Sequence, residues 1–319
     1  MSFHTDELDA QARAGVSTSS AAIRDFMPEQ HRTFFAALPC AFLATTDAEG
    51  WPLATLLEGE PGFLSSPDPR TLRIQATPGS GDPARGTIRQ GQEVGLLGID
   101  LATRRRNRAN GVVIAIDAAT FTVAVRQSFG NCPQYIQRRI ASRAEAAGGR
   151  VRGLDTLDDD ARGLIARADT FFVASRSRAD VGAAGGVDIS HRGGLPGFVR
   201  IQGDVLSIPD FRGNRYFNTL GNLLGEPRAS LLFPDFETGD LLQLQGLATI
   251  DWSPVAADSF QGAERIWHIR IARGWFRPRA AALRGAFVDY SPVTLRAGTW
   301  MARGARTGSP SRHARGSNG

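Results

Sequence analysis

The sequence predicts a mainly β protein with some helix, of the α+β class, built from two small barrels in tandem. Three observations lead to this prediction. The chain of 319 residues resembles itself when it is shifted by 135 positions. Each copy divides into short apolar segments separated by Gly/Pro turns, which is typical of antiparallel strands. One segment with helical spacing interrupts the strands of each copy, which favours a small barrel over a parallel α/β sheet.

The repeat is visible in two stretches that share one offset. Residues Gly59–Phe63 align with Gly194–Phe198, and residues Leu96–Gly111 align with Leu231–Gly246. The predicted strands of the first copy are CAFLATT, WPLATLLEG, GFLSS, TLRIQAT, EVGLLGID, RANGVVIAID and TFTVAVRQSF, with a helix in PARGTIRQG. Those of the second copy are TFFVASRS, VDISHRGG, GFVRIQG, DVLSIPD, ASLLFPDF, DLLQLQGLATIDW and IWHIRIARGWF, with a helix in NRYFNTLGNLL.

The segments outside the strands complete the predicted organisation. A connector rich in charged residues and alanine is expected to be largely helical, and the N-terminal residues are expected to form a helical or irregular extension. The predicted units are an N-terminal extension (1–30), a first repeat (31–130), a helical connector (131–167), a second repeat (168–300) and a disordered basic tail (301–319).

Composition excludes several kinds of site. All 37 basic residues are arginine, so the chain has neither the lysine of a pyridoxal-phosphate Schiff base nor that of a P-loop. Anions must therefore be bound by arginine, hydroxyl and backbone N–H groups. The two cysteines, Cys40 and Cys132, are far apart and belong to no Cys/His cluster. We expect no metal site and no disulfide scaffold, and any redox chemistry requires an organic cofactor.

Charge and hydropathy suggest where the protein resides. The formal net charge is +5, and part of the excess lies in the final segment ARGARTGSPSRHARGSNG, which we interpret as a solvated end rather than a nucleic-acid-binding arm. No segment has the roughly 18 uninterrupted apolar residues of a membrane helix, and the first residues are acidic where a signal peptide is basic. The sequence therefore predicts a cytoplasmic protein with neither a membrane nor a nucleic-acid partner.

The first candidate site segment is DISHRGG, residues 188–194. The match of Phe42 with Phe172 has an offset of 130, which implies five additional residues in the second copy before the Pro-Gly-Phe turn, and this segment belongs to the stretch that contains them. Ser190, His191, Arg192 and Gly193 combine a hydroxyl, an imidazole, a guanidinium and a flexible backbone, which together suit a phosphate. An ordinary polar turn explains the same residues. The first copy has Leu-Leu-Glu-Gly at this place, and this difference between the copies favours a binding role.

Three further segments supply candidates. On the predicted helix Asn214 and Asn218 share one face at a Gly-Asn helix entry, although capping alone explains the first of them. Alternation along a strand places Arg106 and Arg108 on one face, together with Arg104, where a solvated charge run is the ordinary explanation.

The segment QSFGNCPQY contributes Asn131 and Gln134 as flavin-ring contacts, or else a strand end followed by a helix cap at Cys132 and Pro133. Ser190 and His191 do not suit a hydrolase, because neighbours on a strand point to opposite faces and no G-x-S-x-G elbow is present.

The run RASLLFPDFETGDLLQLQGLATI resembles the strand pair of pyridoxamine 5'-phosphate oxidases, in which Pro-Arg-x-Ser-Leu-Leu-Phe-Pro precedes a strand that ends in glycine. The preceding strand and the Gly-Asn-Arg helix entry lie where that family binds the FMN phosphate. The resemblance covers residues 165–255 and extends through the repeat to residues 30–130. With DISHRGG, PDFRGN and QSFGNCPQYIQ, the chain is similar to a bacterial branch of uncharacterised split-barrel flavoproteins.

This resemblance implies two tandem split β-barrels of the FMN-binding type. Family members are usually homodimers with FMN in clefts between the subunits, so the repeat implies a pseudo-dimer within one chain. Whether one or both clefts hold FMN, and whether the chain forms a further homodimer, stays open. The vitamin-oxidising enzymes use a Ser-Arg-Lys phosphate grip, which a chain without lysine lacks. Pyridoxamine phosphate is therefore not the expected substrate, whereas FMN is the expected cofactor.

The predicted function is an FMN-dependent oxidoreductase that acts on a small-molecule substrate or takes electrons from a donor such as NAD(P)H. No side chain is identified as a catalytic acid or base. The alternative is a flavin- or ligand-binding module without turnover.

Overall fold

A computed structural model describes residues 3–300, and the predicted basic tail lies outside the described residues. Two large antiparallel sheets dominate the fold. The first has the order β2-β1-β5-β6-β7-β4-β3. Its strands are β1 (Cys40–Thr46), β2 (Pro52–Glu58), β3 (Leu64–Ser65), β4 (Thr71–Ile74), β5 (Glu93–Asp100), β6 (Arg105–Ile116) and β7 (Phe121–Asn131).

The second sheet lies C-terminal to the first along the chain. Its principal strands are β10 (Thr170–Arg176), β11 (Val187–Gly193), β12 (Arg200–Gln202), β13 (Val205–Phe211), β14 (Arg228–Pro234), β15 (Leu241–Asp251) and β16 (Ala263–Arg277). Their order is β11-β10-β14-β15-β16-β13-β12, which matches the first sheet strand for strand, and the short β9 (Arg152–Leu154) adds to β16. The prediction of a mainly β protein with helices is therefore confirmed.

The remaining elements cover the ends and edges of the sheets. A two-stranded ribbon pairs β8 (Arg138–Arg143) with β17 (Leu283–Asp289). A 3-10 turn spans Ala179–Ala184. The helices are α1 (Thr5–Arg13), α2 (Glu29–Ala36), α3 (Asp159–Arg167), α4 (Asn218–Gly225), α5 (Pro254–Ala257) and α6 (Pro292–Arg296). Among residues 3–300, no helix has the length and apolar character needed to cross a membrane.

Alternation along the central strands explains how the two sheets pack together. On β10, Phe171 belongs to the core of the second sheet, whereas its neighbour Phe172 faces the first sheet. On β1, Leu43 enters the core of the first sheet and Phe42 faces the second. The rings of Phe42 and Phe172 stack with centroids 3.4 Å apart. Because both faces of these strands are buried, each contains a continuous apolar run, CAFLA in β1 and FFVA in β10.

The repeated Gly-x-Pro-Gly-Phe turn has a steric role in both halves. A Cβ on Gly59 would lie 2.4 Å from the side chain of Phe63, and a Cβ on Gly194 would lie 2.4 Å from that of Phe198. Each glycine therefore allows the following phenylalanine to fold back onto the turn. Both phenylalanines are buried, each in the core of its own sheet.

Several predictions of helix were wrong. Residues 83–91 form turns rather than a helix. The helix of the second half begins at Asn218, so Asn214 lies in the preceding loop and the two do not share a helix face. The connector 131–167 contains β8 and β9 and only one helix, so no helix cap forms at Cys132. Arg104 precedes β6 with a φ of 57° and does not alternate with the arginines of that strand.

Candidate functional site

A cleft between the two sheets contains all ten residues predicted to contact the cofactor. We call it the inter-sheet cleft. The space between its lining atoms is about 830 Å³, a figure that includes the solvent at its open mouth. The first half supplies β6 and the end of β7, and the second supplies β11, β16 and the loop between β13 and α4. The predicted residues that line it are Arg106, Arg108, Asn131, Gln134, Ser190, His191, Arg192, Gly193, Asn214 and Asn218.

Strand β11 forms the floor of the cleft where it packs against the first sheet. The Ser190 hydroxyl accepts a hydrogen bond from Arg108, and the Thr219 hydroxyl donates to it at 2.7 Å. Gly193 is required for packing, because a Cβ there would lie 2.0 Å from the carbonyl oxygen of Tyr135. The connector can thus cross β11 closely and bring Gln134 to the cleft.

His191 is a neutral hydrogen-bond donor. Its Nδ1 lies 3.0 Å from Nη1 of Arg106, and a guanidinium can only donate, so the imidazole proton is on Nε2. Burial, followed by the charges of Arg106 and Arg192, holds the pKa of His191 well below its usual value. The buried Nε2 has no hydrogen-bond partner within residues 3–300.

Arg108 is held in place from both halves of the chain. Its Nη1 donates to Asp188 and to Asn218 Oδ1, each at 3.0 Å, and its guanidinium lies 5.3 Å from the ring centre of Phe129. Burial lowers the pKa of Arg108, and the opposing charge of Asp188 limits that effect.

Arg106 has no such counter-charge. Its Nε donates to the carbonyl oxygen of Cys132 at 3.0 Å, and no carboxylate of residues 3–300 lies within ion-pair distance. Burial lowers its pKa to about 10. Even partial burial of an arginine without a carboxylate is costly, and a negatively charged ligand would supply the missing partner.

The loop that closes the cleft has an uncommon backbone. Arg215 and Phe217 have φ values of 60° and 61°, and Tyr135 opposite them has a φ of 63°. Three of the five non-glycine residues with positive φ in the described chain thus line this one cleft. Asn214 shapes the loop, because its Oδ1 accepts a hydrogen bond from the Tyr216 amide at 3.2 Å. Such conformations cost energy and persist mainly at functional sites.

Sequence reasoning missed Glu7, which supports the cleft from behind. Its carboxylate accepts from Asn218 Nδ2 at 2.5 Å and from the His4 amide at 3.0 Å. Burial raises the pKa of Glu7 to about 7. Asn218 therefore bridges α1 and Arg108. The available signal was the spacing of His4 and Glu7, which form a capping box at the start of α1.

Sequence reasoning also missed the acidic residues near the cleft, and each of them is paired. Asp210 binds Arg265, and Glu264 binds Arg215 at 3.0 Å. Arg192 approaches Asp210 only to 3.6 Å. Among residues 3–300, both carboxylates that line the cleft are therefore paired with arginines, as is Asp188 next to it. The described residues contain no cluster of metal ligands.

Several donor atoms of residues that line the cleft have no hydrogen-bond partner among residues 3–300. They belong to guanidinium, amide and imidazole groups, and an acceptor-rich ligand that comes within reach of them would satisfy them. They are Arg108 Nε, Arg192 Nε, Arg215 Nε, Asn131 Nδ2 and His191 Nε2. Together with the uncompensated charge of Arg106, these donors fit a ligand with a phosphate group.

Comparison with known proteins finds one family that matches part of the chain. Residues 27–148 match the family described as pyridoxamine 5'-phosphate oxidase. The predicted resemblance to that family is confirmed, although the match lies in the first half, where the sequence indicated it more weakly. No curated protein matches the chain.

Solved structures resemble only part of the chain. A putative pyridoxamine 5'-phosphate oxidase from Lactobacillus delbrueckii is 18% identical, over 33% of this chain and 95% of its own, with a TM-score of 0.27. An FAD-binding protein from Mesorhizobium loti is 12% identical, over 40% and 97%, with a TM-score of 0.27. HutZ, the heme storage protein from Vibrio cholerae, is 13% identical, over 38% and 94%, with a TM-score of 0.26. Likeness at this level does not indicate what the present chain binds.

Proposed function

We propose that this chain, which belongs to the pyridoxamine 5'-phosphate oxidase-like family, is an FMN-binding flavoprotein and an oxidoreductase. The observation that carries the proposal is the half-buried charge of Arg106, which has no carboxylate partner among residues 3–300 and lies among donors without acceptors. The FMN phosphate is a dianion with several acceptor oxygens, so it suits this set of groups.

The chain's own residues have distinct tasks in this proposal. The guanidinium groups of Arg106, Arg108 and Arg192 neutralise the phosphate, and the Ser190 hydroxyl adds a neutral contact. His191 offers an uncharged N–H at every pH near neutrality, because its pKa is held low. Asn214 and Gln134 line the cleft beside these groups. When bound, the flavin supplies hydride and electron transfer, with a small-molecule substrate or a donor such as NAD(P)H as its partner.

We further infer that the two sheets are tandem split barrels of the FMN-binding type that form a pseudo-dimer within one chain. The identical strand orders support this inference. Both walls of the cleft then come from a single molecule, so flavin should remain bound at a mass near 34 kDa in dilute solution. Light scattering with absorbance detection measures this, and release of flavin as a larger assembly dissociates would contradict it.

The test of flavin binding compares FMN with riboflavin, which lacks the phosphate. Purified protein should release FMN on denaturation. Arg192→Ala should weaken FMN about ten- to a hundredfold, the loss expected for one charge-assisted contact worth roughly 1.5–3 kcal/mol, while changing riboflavin affinity little. Arg105→Ala is the matched control, because that exposed side chain lies over Phe34, away from the cleft. Folded protein that binds neither flavin contradicts the proposal, and titration with FAD and hemin in parallel identifies a different cofactor.

A flavin- or ligand-binding module without turnover is the second candidate. The pairing of Asp188, Asp210 and Glu264 with arginines favours it, since the cleft then lacks an obvious proton-transfer group. Anaerobic addition of NAD(P)H separates the two candidates. Reduction of bound flavin at a rate that saturates with NAD(P)H supports the oxidoreductase, and flavin that stays oxidised while remaining bound supports the module.

A further inference from the structure

A buried carboxylate and three buried donors form a cluster away from the inter-sheet cleft. Asp82 lies in the segment between β4 and β5 and is 5% exposed. Its carboxylate accepts from Thr55 Oγ1 at 2.5 Å, from Arg277 Nη1 at 2.6 Å and from Gln243 Nε2 at 3.1 Å. All three donors are buried. We call these four residues the Asp82 cluster.

Strand register relates the Asp82 cluster to the inter-sheet cleft. Thr55 pairs with Leu43 on the central strand of the first sheet, and Ser190 pairs with Val173 on the equivalent strand of the second. Thr55 and Ser190 therefore hold equivalent positions, as the 135-residue offset also indicates.

The two other donors, Gln243 and Arg277, also have structurally equivalent residues in the first sheet. Gln243 pairs with Leu232, and Arg108 pairs with Leu97, which is the counterpart of Leu232 in the first sheet. Arg277 pairs with Leu241, two residues before Gln243. In the first sheet Asn131 pairs with Arg106, two residues before Arg108. Gln243 thus corresponds to Arg108, and Arg277 corresponds to Asn131.

The equivalent trio lies in the inter-sheet cleft, and no carboxylate among residues 3–300 accepts hydrogen bonds from all three of its members. Ser190, Arg108 and Asn131 all line the cleft, and the buried Asn131 Nδ2 and Arg108 Nε have no partner in the described chain. Asp188 accepts from Arg108 at 3.0 Å and from the Ser190 hydroxyl at 3.4 Å, from a place that does not line the cleft. The segment that corresponds to the one bearing Asp82 lies between β13 and β14, and it brings Arg215 to the cleft rather than an acid.

We propose that the two halves of this chain contain the same anion-binding position, which the carboxylate of Asp82 fills in one half and which is open to a phosphate group in the other. The open position is the one formed by Ser190, Arg108 and Asn131. A consequence is that each chain binds one phosphate-bearing ligand rather than two. Only the identification of that ligand as FMN rests on the proposed function.

The first experiment places a carboxylate in the open position. Asn131→Asp preserves the shape of the side chain and adds a negative charge where the phosphate is expected. It should weaken FMN at least about tenfold and change riboflavin affinity less than about twofold. Gln134→Glu makes the same charge change elsewhere in the cleft and should have a clearly smaller effect on FMN. Equal effects of the two variants on FMN, or equal effects of Asn131→Asp on both flavins, would overturn the assignment.

The second experiment opens the filled position and needs no flavin. Asp82→Ala should unfold at a lower temperature than the wild type in chloride, and inorganic phosphate at equal ionic strength should raise its midpoint by about 5 °C more than it raises that of the wild type. Asp82→Ser, which retains a hydroxyl for the Ala84 amide that Asp82 now caps at 2.8 Å, should behave likewise.

Asp169→Ala is the control for the second experiment, because it also removes the carboxylate partner of a buried arginine. Asp169 binds Arg139 at 2.6 Å. Phosphate should give Asp169→Ala no additional gain over the wild type. Equal rescue of the Asp82 and Asp169 variants, or failure of both Asp82 variants to fold in phosphate, overturns the proposal. If the wild type binds no flavin, the proposed function fails, yet this phosphate result still decides whether the shared anion position exists.

Discussion

Replacing Arg106 with glutamine should stabilise the ligand-free protein while weakening its ligand. The pKa of the guanidinium falls from its usual value above 12 to about 10. At 1.36 kcal/mol per pKa unit, the cost of keeping this charge in the cleft is about 3 kcal/mol, an upper limit because the side chain is partly open to solvent. Glutamine removes the charge and keeps an amide donor for the Cys132 carbonyl oxygen.

The contrast with Arg265 makes the measurement decisive. Arg265 lines the same cleft and is buried, but it binds the carboxylate of Asp210. Arg265→Gln removes the arginine that binds this buried carboxylate and should lower the free energy of unfolding by about 3–5 kcal/mol. Urea unfolding without ligand should therefore separate the two variants. The free energy of unfolding should fall for Arg265→Gln, whereas for Arg106→Gln it should be unchanged or up to about 3 kcal/mol higher than that of the wild type. FMN titration should show at least about tenfold weaker binding for Arg106→Gln.

The reasoning is refuted if Arg106→Gln is destabilised as much as Arg265→Gln, since Arg106 would then have a structural partner that the geometry does not reveal. It is also refuted if Arg106→Gln binds FMN as tightly as the wild type. In that case the buried charge serves no anionic ligand.

Two further predictions concern the supports of the cleft. Glu7 stays protonated in the folded chain up to about pH 7 but ionises near its ordinary value once unfolded, so stability falls as the pH rises between those values and the loss is complete above pH 7. In urea unfolding, the free energy of unfolding of Glu7→Gln should therefore be up to about 3 kcal/mol higher than that of the wild type at pH 8 and equal to it near pH 4.5. A difference that does not depend on pH would contradict this assignment. Phe172→Ala and Phe171→Ala should each lower the free energy of unfolding by about 3–5 kcal/mol. Only Phe172→Ala removes the ring stack between the two halves, so only this variant should also bind FMN more weakly in titrations of the folded protein. Equal FMN affinities of the two variants would argue against that role.

Local sequence patterns predicted the strands well because their periodicity is a property of a few adjacent residues. Strands β1 and β5 have the predicted bounds, and β11 differs by one residue. The failures share a cause that local patterns do not contain. The segment predicted as a helix at residues 83–91 follows Gly81 and contains Gly86 and Gly91, and all three adopt positive φ, which a helix cannot accommodate.

The connector was misjudged for a different reason. Its strand β8 pairs with β17, whose residues lie about 145 positions later in the chain. Nothing within residues 131–167 reveals that partner, and the charged, alanine-rich composition favours helix when considered alone. Tertiary pairing overrode the local preference. The tail 301–319 lies outside the described residues, so its predicted disorder stays a prediction.

The sequence predicted which residues line the candidate site, but not which side chains these residues contact. Comparing the two halves directed attention to Ser190, Arg106 and Arg108, because those positions differ in kind between the copies. The same comparison passed over Asp82, which lies in a segment without an alignable counterpart. Its importance appears only when strand register shows that Thr55, Gln243 and Arg277 converge on its carboxylate.

That convergence gives the difference between the halves a physical meaning. A buried arginine needs a nearby negative charge, and each half meets this need differently. In one half Arg277 receives a permanent carboxylate from its own chain. In the other half Arg106 has no carboxylate partner among residues 3–300, so the cost of its partial burial is recovered only when an anion from solution binds. Stability and ligand binding are therefore opposing effects of the charge on Arg106, and a variant that improves one at the inter-sheet cleft should impair the other.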